Sequence, residues 1–363
     1  MIEIKEKCEK NEPKILIIGV GGGGNNAIDR MIKSSCDNVT YAAVNTDIAV
    51  LENCLAEKKI QIGSKLLKGY GAGANPSMGE EAAKENEDNI KELISDYNMI
   101  IITCGLGGGT GTGAIPIIAN ICKDAGILTI AVVTMPFSFE GKPRMKMAEI
   151  GLEKLKSQVD TLLVIPNDKL IGISDKPLML DAAFEMADTI LKYTIDGISN
   201  IIFNKGMVNI DFNDVKTIMT KKGIGHLGIG TVDSDGSLLD AAKKAIDSPL
   251  LDTTISGCTD LLINISGNAS IDSINEAIEY ITDIAGTDVN VIWGTVKSND
   301  PAKDNIVVTL IATGMSDNAS PTNNNNNALP ILDDNTFIDN ITKKTKTPPQ
   351  EIAIPEFLKK SIR

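Results

Sequence analysis

Two rhythms of apolar and polar positions divide this chain. Lys14–Gly19, Val39–Asn45, Met99–Cys104, Leu128–Thr134 and Thr161–Ile165 are short, β-branched and apolar throughout, as expected of strands buried on both faces of a parallel sheet. Between them, Gly79–Ser95 and Ala114–Ala125 carry apolar residues at helical spacing. Strands alternating with helices predict a doubly wound α/β domain. From Leu178 to about Phe203 the pattern becomes continuously helical, with Leu180, Phe184, Ala187, Leu191 and Ile195 forming a stripe; a helix of that length can connect two domains. Beyond it the pattern predicts short helices at Asp214–Met219 and Ser237–Ile246, strands at Asp260–Ile265, Val289–Val296 and Ile306–Ala312, and a helix at Ile271–Ile284. Strands adjoining strands suggest a smaller α+β domain.

Composition narrows the class. At 363 residues the chain is long enough for about two domains. No apolar run reaches the roughly 18 residues of a membrane span, which excludes a helical membrane protein. A net charge of −13 opposes nonspecific attraction to nucleic acid or anionic lipid. The six cysteines are scattered without a C-x-x-C pair, and His226 is the single histidine, so neither a zinc site nor a disulfide framework is expected. His226 is given no role. The charged N-terminus lacks the apolar core of a signal peptide, which reads as a cytoplasmic protein with reduced thiols. After Met315 the composition shifts to Ser, Asn, Asp, Thr and Pro, with five asparagines at Asn323–Asn327. Residues 316–349 therefore read as a disordered linker. Apolar residues return in the last segment, 350–363, as in a docking peptide or a frayed tail.

Two glycine clusters carry the chemistry. Gly19-Val-Gly-Gly-Gly-Gly-Asn-Asn26 joins a strand to a helix and contains G-x-G-x-x-G, so backbone can approach a diphosphate at the positive end of the helix. Gly105-Leu-Gly-Gly-Gly-Thr-Gly-Thr-Gly113 occupies the same place after the strand ending at Cys104. Its freed N–H groups, with the hydroxyls of Thr110 and Thr112, can wrap phosphate oxygens. It lacks the G-K-[ST] ending of a Walker loop, so metal and helix dipole must balance the phosphate charge.

The second cluster, with Ala43-Val-Asn-Thr-Asp47, Gly71-Ala-Gly-Ala-Asn-Pro76, Pro136-Phe-Ser-Phe-Glu-Gly141, Ile165-Pro-Asn-Asp168, Asn209-Ile-Asp-Phe-Asn-Asp214 and Ser248-Pro-Leu-Leu251, resembles the FtsZ family of bacterial cell-division GTPases in the tubulin superfamily. The resemblance runs from Lys14 to Met315, and Ile354-Pro-Glu-Phe-Leu-Lys359 is similar to that family's C-terminal partner-binding peptide. It implies a tubulin-like fold: a flexible segment 1–12, a Rossmann-type GTP-binding domain 13–177, a central helix 178–204, an α+β domain 205–315, then the linker and tail. It also implies that Gly22, Gly23, Gly24, Asn25 and Asn26 lie against GTP or GDP and that Gly109, Thr110 and Gly111 hold the phosphates. Glu140 and Arg144 would contact ribose and base, Asn167 the sugar, Phe184 the guanine ring and Asp188 its edge. A carboxylate suits guanine N1–H and N2–H₂, and positions 184 and 188 share a helix face. Read without the resemblance, Phe184 is a core aromatic and Asp188 an exposed helical acid.

The glycine clusters hold no Glu, Asp or His to activate water. The resemblance implies that a neighbouring subunit supplies one through Asn209, Asp211 and Asp214, although Asp211 could simply cap the following helix. A site shared head to tail generates filaments, here the dynamic polymer of a division ring at midcell, with Mg²⁺ on the phosphates and an assisting monovalent cation. The tail residues Ile354, Pro355, Phe357 and Leu358 would bind membrane-tethering and regulatory division proteins, without direct insertion into membrane. Two other readings stand beside this one: a nicotinamide-dependent oxidoreductase using Gly19–Gly24 and Asp47, and a nonhydrolysing scaffold.

Overall fold

The structure is a computed structural model that describes residues 12–33, 39–171, 179–203, 211–250, 254–296 and 305–315. All of them fall within one compact unit, residues 1–321. The predicted linker and tail lie outside the described residues.

Six parallel strands, β1 (Ile15–Val20), β2 (Val39–Asn45), β3 (Lys58–Gln61), β4 (Met99–Gly105), β5 (Leu128–Met135) and β6 (Thr161–Pro166), lie in the order β3-β2-β1-β4-β5-β6. They alternate with α1 (Gly21–Lys33), α2 (Ile48–Asn53), α3 (Ser64–Leu67), α4 (Pro76–Glu85), α5 (Glu87–Ile94), α6 (Thr110–Asp124), α7 (Lys142–Lys156) and α8 (Asn167–Ile171). Strand order reverses between β1 and β4, and a doubly wound sheet opens a crevice at the carboxyl ends of its strands at that point. Both glycine clusters sit there. β1 and β4 are buried along nearly their whole length, which is why their sequences show no polar alternation.

The 24-residue α9 (Leu180–Phe203) packs against α1, β5 and three strands of the second half of the chain, residues 260–266, 290–296 and 306–313. Ala183, Ala187, Ile190, Leu191, Ile195 and Ile198 form its buried face. Leu180 and Phe184, read as part of that stripe from spacing alone, remain 57% and 39% exposed because the N-terminal turns overhang the crevice. Then follow α10 (Phe212–Met219), β7 (Gly223–Val232), α11 (Leu238–Ile246), β8 (Asp260–Ser266), α12 (Ile271–Ala285), β9 (Asn290–Val296) and β10 (Ile306–Thr313).

β7 is absent from the sequence expectation, and it joins the two halves of a continuous ten-stranded sheet. Its first three residues pair parallel with β6, and His226–Val232 pair antiparallel with β10. Its alternating glycines hid it, since glycine is a poor strand residue. Packing requires one of them: a Cβ on Gly230 would stand 1.9 Å from the Ala241 carbonyl of α11. The single helix expected over Gly79–Ser95 is two, broken at Asn86, whose side chain accepts from the Gly63 N–H.

Candidate functional site

Gly21–Gly24 of the first cluster do not precede α1; they are its first turn, while Gly19 lies in β1. Gly21 takes a left-handed φ of 72°, and a Cβ there would lie 2.8 Å from the Gly111 nitrogen. One on Gly24 would lie 2.6 Å from the Thr103 carbonyl. The two clusters therefore touch backbone to backbone. Gly22 and Gly108 differ: nothing stands within 4 Å of where their Cβ would be. Packing does not demand glycine at those two positions, and the space before them is open to a ligand.

The second cluster starts α6 at Thr110, four residues before the expected Ala114. No side chain caps this helix and no acid stands in its first turn, so its leading N–H groups face the crevice with the helix dipole behind them. The Thr110 hydroxyl pairs with that of buried Thr46 at 2.6 Å. The Thr112 hydroxyl, expected on phosphate, instead accepts from the Gly107 N–H at 2.8 Å inside the protein. It shapes the loop. Asn25 also points inward: its amide donates to the Gly19 carbonyl at 2.9 Å and accepts from Asn45 at 2.7 Å. Asn26 is exposed beside it.

A cleft runs from these loops to α9, lined among others by Gly23, Thr103, Glu140, Arg144, Asn167, Phe184 and Asp188. Glu140 accepts from the Phe137 N–H at 2.8 Å and pairs with Arg144 at 3.0 Å. A Cβ on Gly107 would meet the Arg144 stem at 2.6 Å, so this arginine lies against the second glycine loop. Phe184 is no core aromatic; it meets Phe137 edge-on at 5.3 Å and lies 6.3 Å from Phe139. Asp188 is no free surface acid. It is paired with Arg30 at 3.1 Å; burial raises its carboxyl above the ordinary range, Arg30 opposes that rise, and Glu185 adds to it.

Two polar atoms of this cleft are orphaned. Asn167 Oδ1 and Thr103 Oγ1 are buried without a hydrogen-bond partner among the described residues. Buried polar atoms are nearly always satisfied, so a pair of orphans in one cleft suits a polar ligand. Thr103, Ala27 and Leu191 had no motif to reveal them; they line the cleft because β4, α1 and α9 converge there.

Asp211 and Asp214 are elsewhere. Asp211 caps α10, accepting from the Asn213 N–H at 3.1 Å, and both acids are exposed. Neither lines the cleft. The far end of α10 leads into β7, whose start pairs with the start of β6, whereas the glycine loops follow the ends of β1 and β4. Asn209 lies outside the described residues. Among the described residues no three His, Cys, Asp or Glu side chains group to hold a metal. Cys54, Cys104, Cys122 and Cys258 are free, buried thiols, and no helix among the described residues is long and apolar enough to cross a membrane.

Residues 14–175 match the GTPase-domain model of the Tubulin/FtsZ family, and residues 223–316 match the C-terminal-domain model of the FtsZ family. An empty FtsZ dimer from M. jannaschii is 43% identical over 84% of this chain and 89% of its own, with a TM-score of 0.80. Two more distant structures share the fold. GDP-bound monomeric CetZ1 from Haloferax volcanii is 20% identical, with TM-score 0.69 over 84% of this chain and 94% of its own. The GTPγS-bound protofilament of CetZ2 from the same organism is 18% identical, with TM-score 0.67 over 82% and 92%. With both domain models matched in order and that identity across most of its length, the chain belongs to the FtsZ family of tubulin-like GTPases.

Proposed function

We propose that the protein binds GTP in this cleft, assembles head to tail into filaments, and hydrolyses the nucleotide with Asp211 and Asp214 supplied by the adjoining subunit. The phosphates would lie before Gly22, Gly23, Gly24 and Gly108, with Gly109, Thr110 and Gly111 directing N–H groups at them and Asn26 alongside. Asn25 would act by holding the first loop in shape. Asn167 would take a ribose hydroxyl on its orphaned oxygen, Glu140 and Arg144 would flank the sugar, Phe184 would cover the base and Asp188 would accept from its edge. Mg²⁺ on the phosphates would supply charge neutralisation, since none of the residues that line the cleft is a lysine. The acids of the next subunit, with Asn209, would orient the attacking water and accept its proton.

The observation that carries this reading is a separation. The acids stand exposed at the start of α10 and outside the lining of the glycine-loop cleft, so on this reading a hydrolytic site is completed only with a second copy. The FtsZ from M. jannaschii, 43% identical, is a dimer, which supports self-association. In the cell such filaments would form the cytoplasmic division ring at midcell, with residues 350–363 binding the proteins that tether it to membrane.

GTP turnover measured against protein concentration, with light scattering on the same samples, tests this. Turnover per molecule should appear only above a threshold and rise with scattering. Asp214→Ala should bind GTP and assemble yet turn over at least ~100-fold more slowly. Turnover per molecule that is constant down to dilute protein would show that each subunit holds a complete site.

A further inference from the structure

The base end of the cleft is closed by a contact between two helices that no sequence motif marks. Arg30, in the third turn of α1, places Nε 3.1 Å from Asp188 Oδ2 on α9, and its Nη1 lies 3.8 Å from Glu185 Oε1. Arg30 is itself half-exposed, whereas the Asp188 side chain is 21% exposed and lines the cleft. We infer that Arg30 is a positioning residue for base recognition, holding the Asp188 carboxylate ionised and turned so that one oxygen is fixed and the other faces the N1–H and N2–H₂ edge of guanine. This rests on the reading of Asp188 as the guanine contact.

Two physical requirements converge on Arg30. The first is charge. Guanine offers two donors on that edge, and an ionised carboxylate offers only acceptors, whereas a protonated one sets a donor against a donor. Burial disfavours the ionised form of Asp188, and Glu185, one turn earlier, adds like charge. The remaining charged groups near it are otherwise occupied: Lys192 on its own helix pairs with Asp196 at 3.2 Å, while Glu140 and Arg144 across the cleft pair with each other at 3.0 Å. Among the described residues, Arg30 is therefore the cation that favours the charged form of Asp188. The second requirement is direction. A guanidinium N–H on Oδ2 restrains carboxylate rotation and leaves Oδ1 to the ligand. Arg30 also lies on the helix whose first turn faces the phosphate space, so α1 fixes the spacing between phosphate end and base end.

The test uses the full chain, kept below its assembly threshold, and titrates GDP and inosine diphosphate, which lacks the N2 amino group, from pH 4 to 8.5. The proteins are wild type, Arg30→Met, Arg30→Lys and Asp188→Asn, with circular dichroism confirming that each is folded. Asp188→Asn should abolish most of the preference for GDP; if the preference survives, the reading of Asp188 fails and the role of Arg30 with it. Given that loss, Arg30→Met should cut the preference by about tenfold and raise by about one unit the pH at which GDP affinity is half lost. Arg30→Lys should restore that pH while recovering less of the preference, because it returns the charge without the guanidinium geometry. If Arg30→Met weakens both nucleotides equally at every pH, or changes neither, the arginine merely packs α1 on α9 and the proposal is overturned.

Discussion

The orphaned hydroxyl of Thr103 permits a prediction in which stability and affinity move in opposite directions. Thr103 lies on β4, fully buried, with Oγ1 lacking a partner among the described residues. A buried polar group left unpaired costs about 1–3 kcal/mol. Thr103→Val removes the hydroxyl, keeps the β-branched shape that a strand favours, and opens no cavity. The ligand-free protein should therefore gain about 1–2 kcal/mol, which for a chain of this size is an increase of about 2–5 °C in Tm. If nucleotide completes the hydroxyl when it binds, the same substitution should weaken GDP by about 5–30-fold, the equivalent of 1–2 kcal/mol. Differential scanning calorimetry without and with saturating GDP, alongside a GDP titration, reads both. The gain in Tm should shrink once GDP is bound. A ligand-free variant less stable than wild type would show that the hydroxyl is satisfied in the empty cleft. An unchanged GDP affinity would show that the ligand never reaches it.

The glycines separate packing from binding. Gly24→Ala drives a Cβ to 2.6 Å from the Thr103 carbonyl and should destabilise the fold by about 1–3 kcal/mol. Gly108→Ala enters open space and should leave stability within about 0.5 kcal/mol, yet lower GDP affinity at least ~10-fold; thermal unfolding and nucleotide titration check the pair. Far from the cleft, Lys222 pairs with buried Asp260 at 2.6 Å. Burial pushes that carboxyl up, but Lys222 and the hydrogen bonds from Thr259 and Asn290 outweigh it and hold the carboxyl below its ordinary range. The resulting stability is present at neutral pH and is lost as pH falls through the lowered value. Lys222→Met should thus cost about 3 kcal/mol in urea unfolding at pH 7, with the difference from wild type shrinking below about pH 4; a pH-independent difference contradicts the assignment.

Much of this was legible in the sequence because it is local. The parallel strands declare themselves by apolar β-branched runs, and the phosphate loops by glycines placed between strand and helix. What stayed hidden depends on neighbours distant in sequence. β7 has too few side chains to read as a strand until α11 packs on Gly230. Thr112 looked like a ligand contact because its chemistry allows it, and Asn25 because the resemblance implied it; only the fold shows those groups turned inward to Gly107, Gly19 and Asn45. Phe184 and Asp188 could not be distinguished from a core aromatic and a surface acid by pattern, since the overhang of α9 decides the matter. Arg30 and Thr103 carry no motif; α1, β4 and α9 must converge before either has a role.

Mixing two disabled subunits tests the shared site most directly. Asp214→Ala keeps its cleft and lacks the acid, while Gly108→Val keeps the acid and blocks the cleft. Alone, each should show almost no GTP turnover. Mixed in equal amounts, random pairing makes about one contact in four productive, so turnover should recover to about a quarter of wild type at the same total concentration. Turnover no greater than the sum of the separate variants would contradict a site shared between subunits.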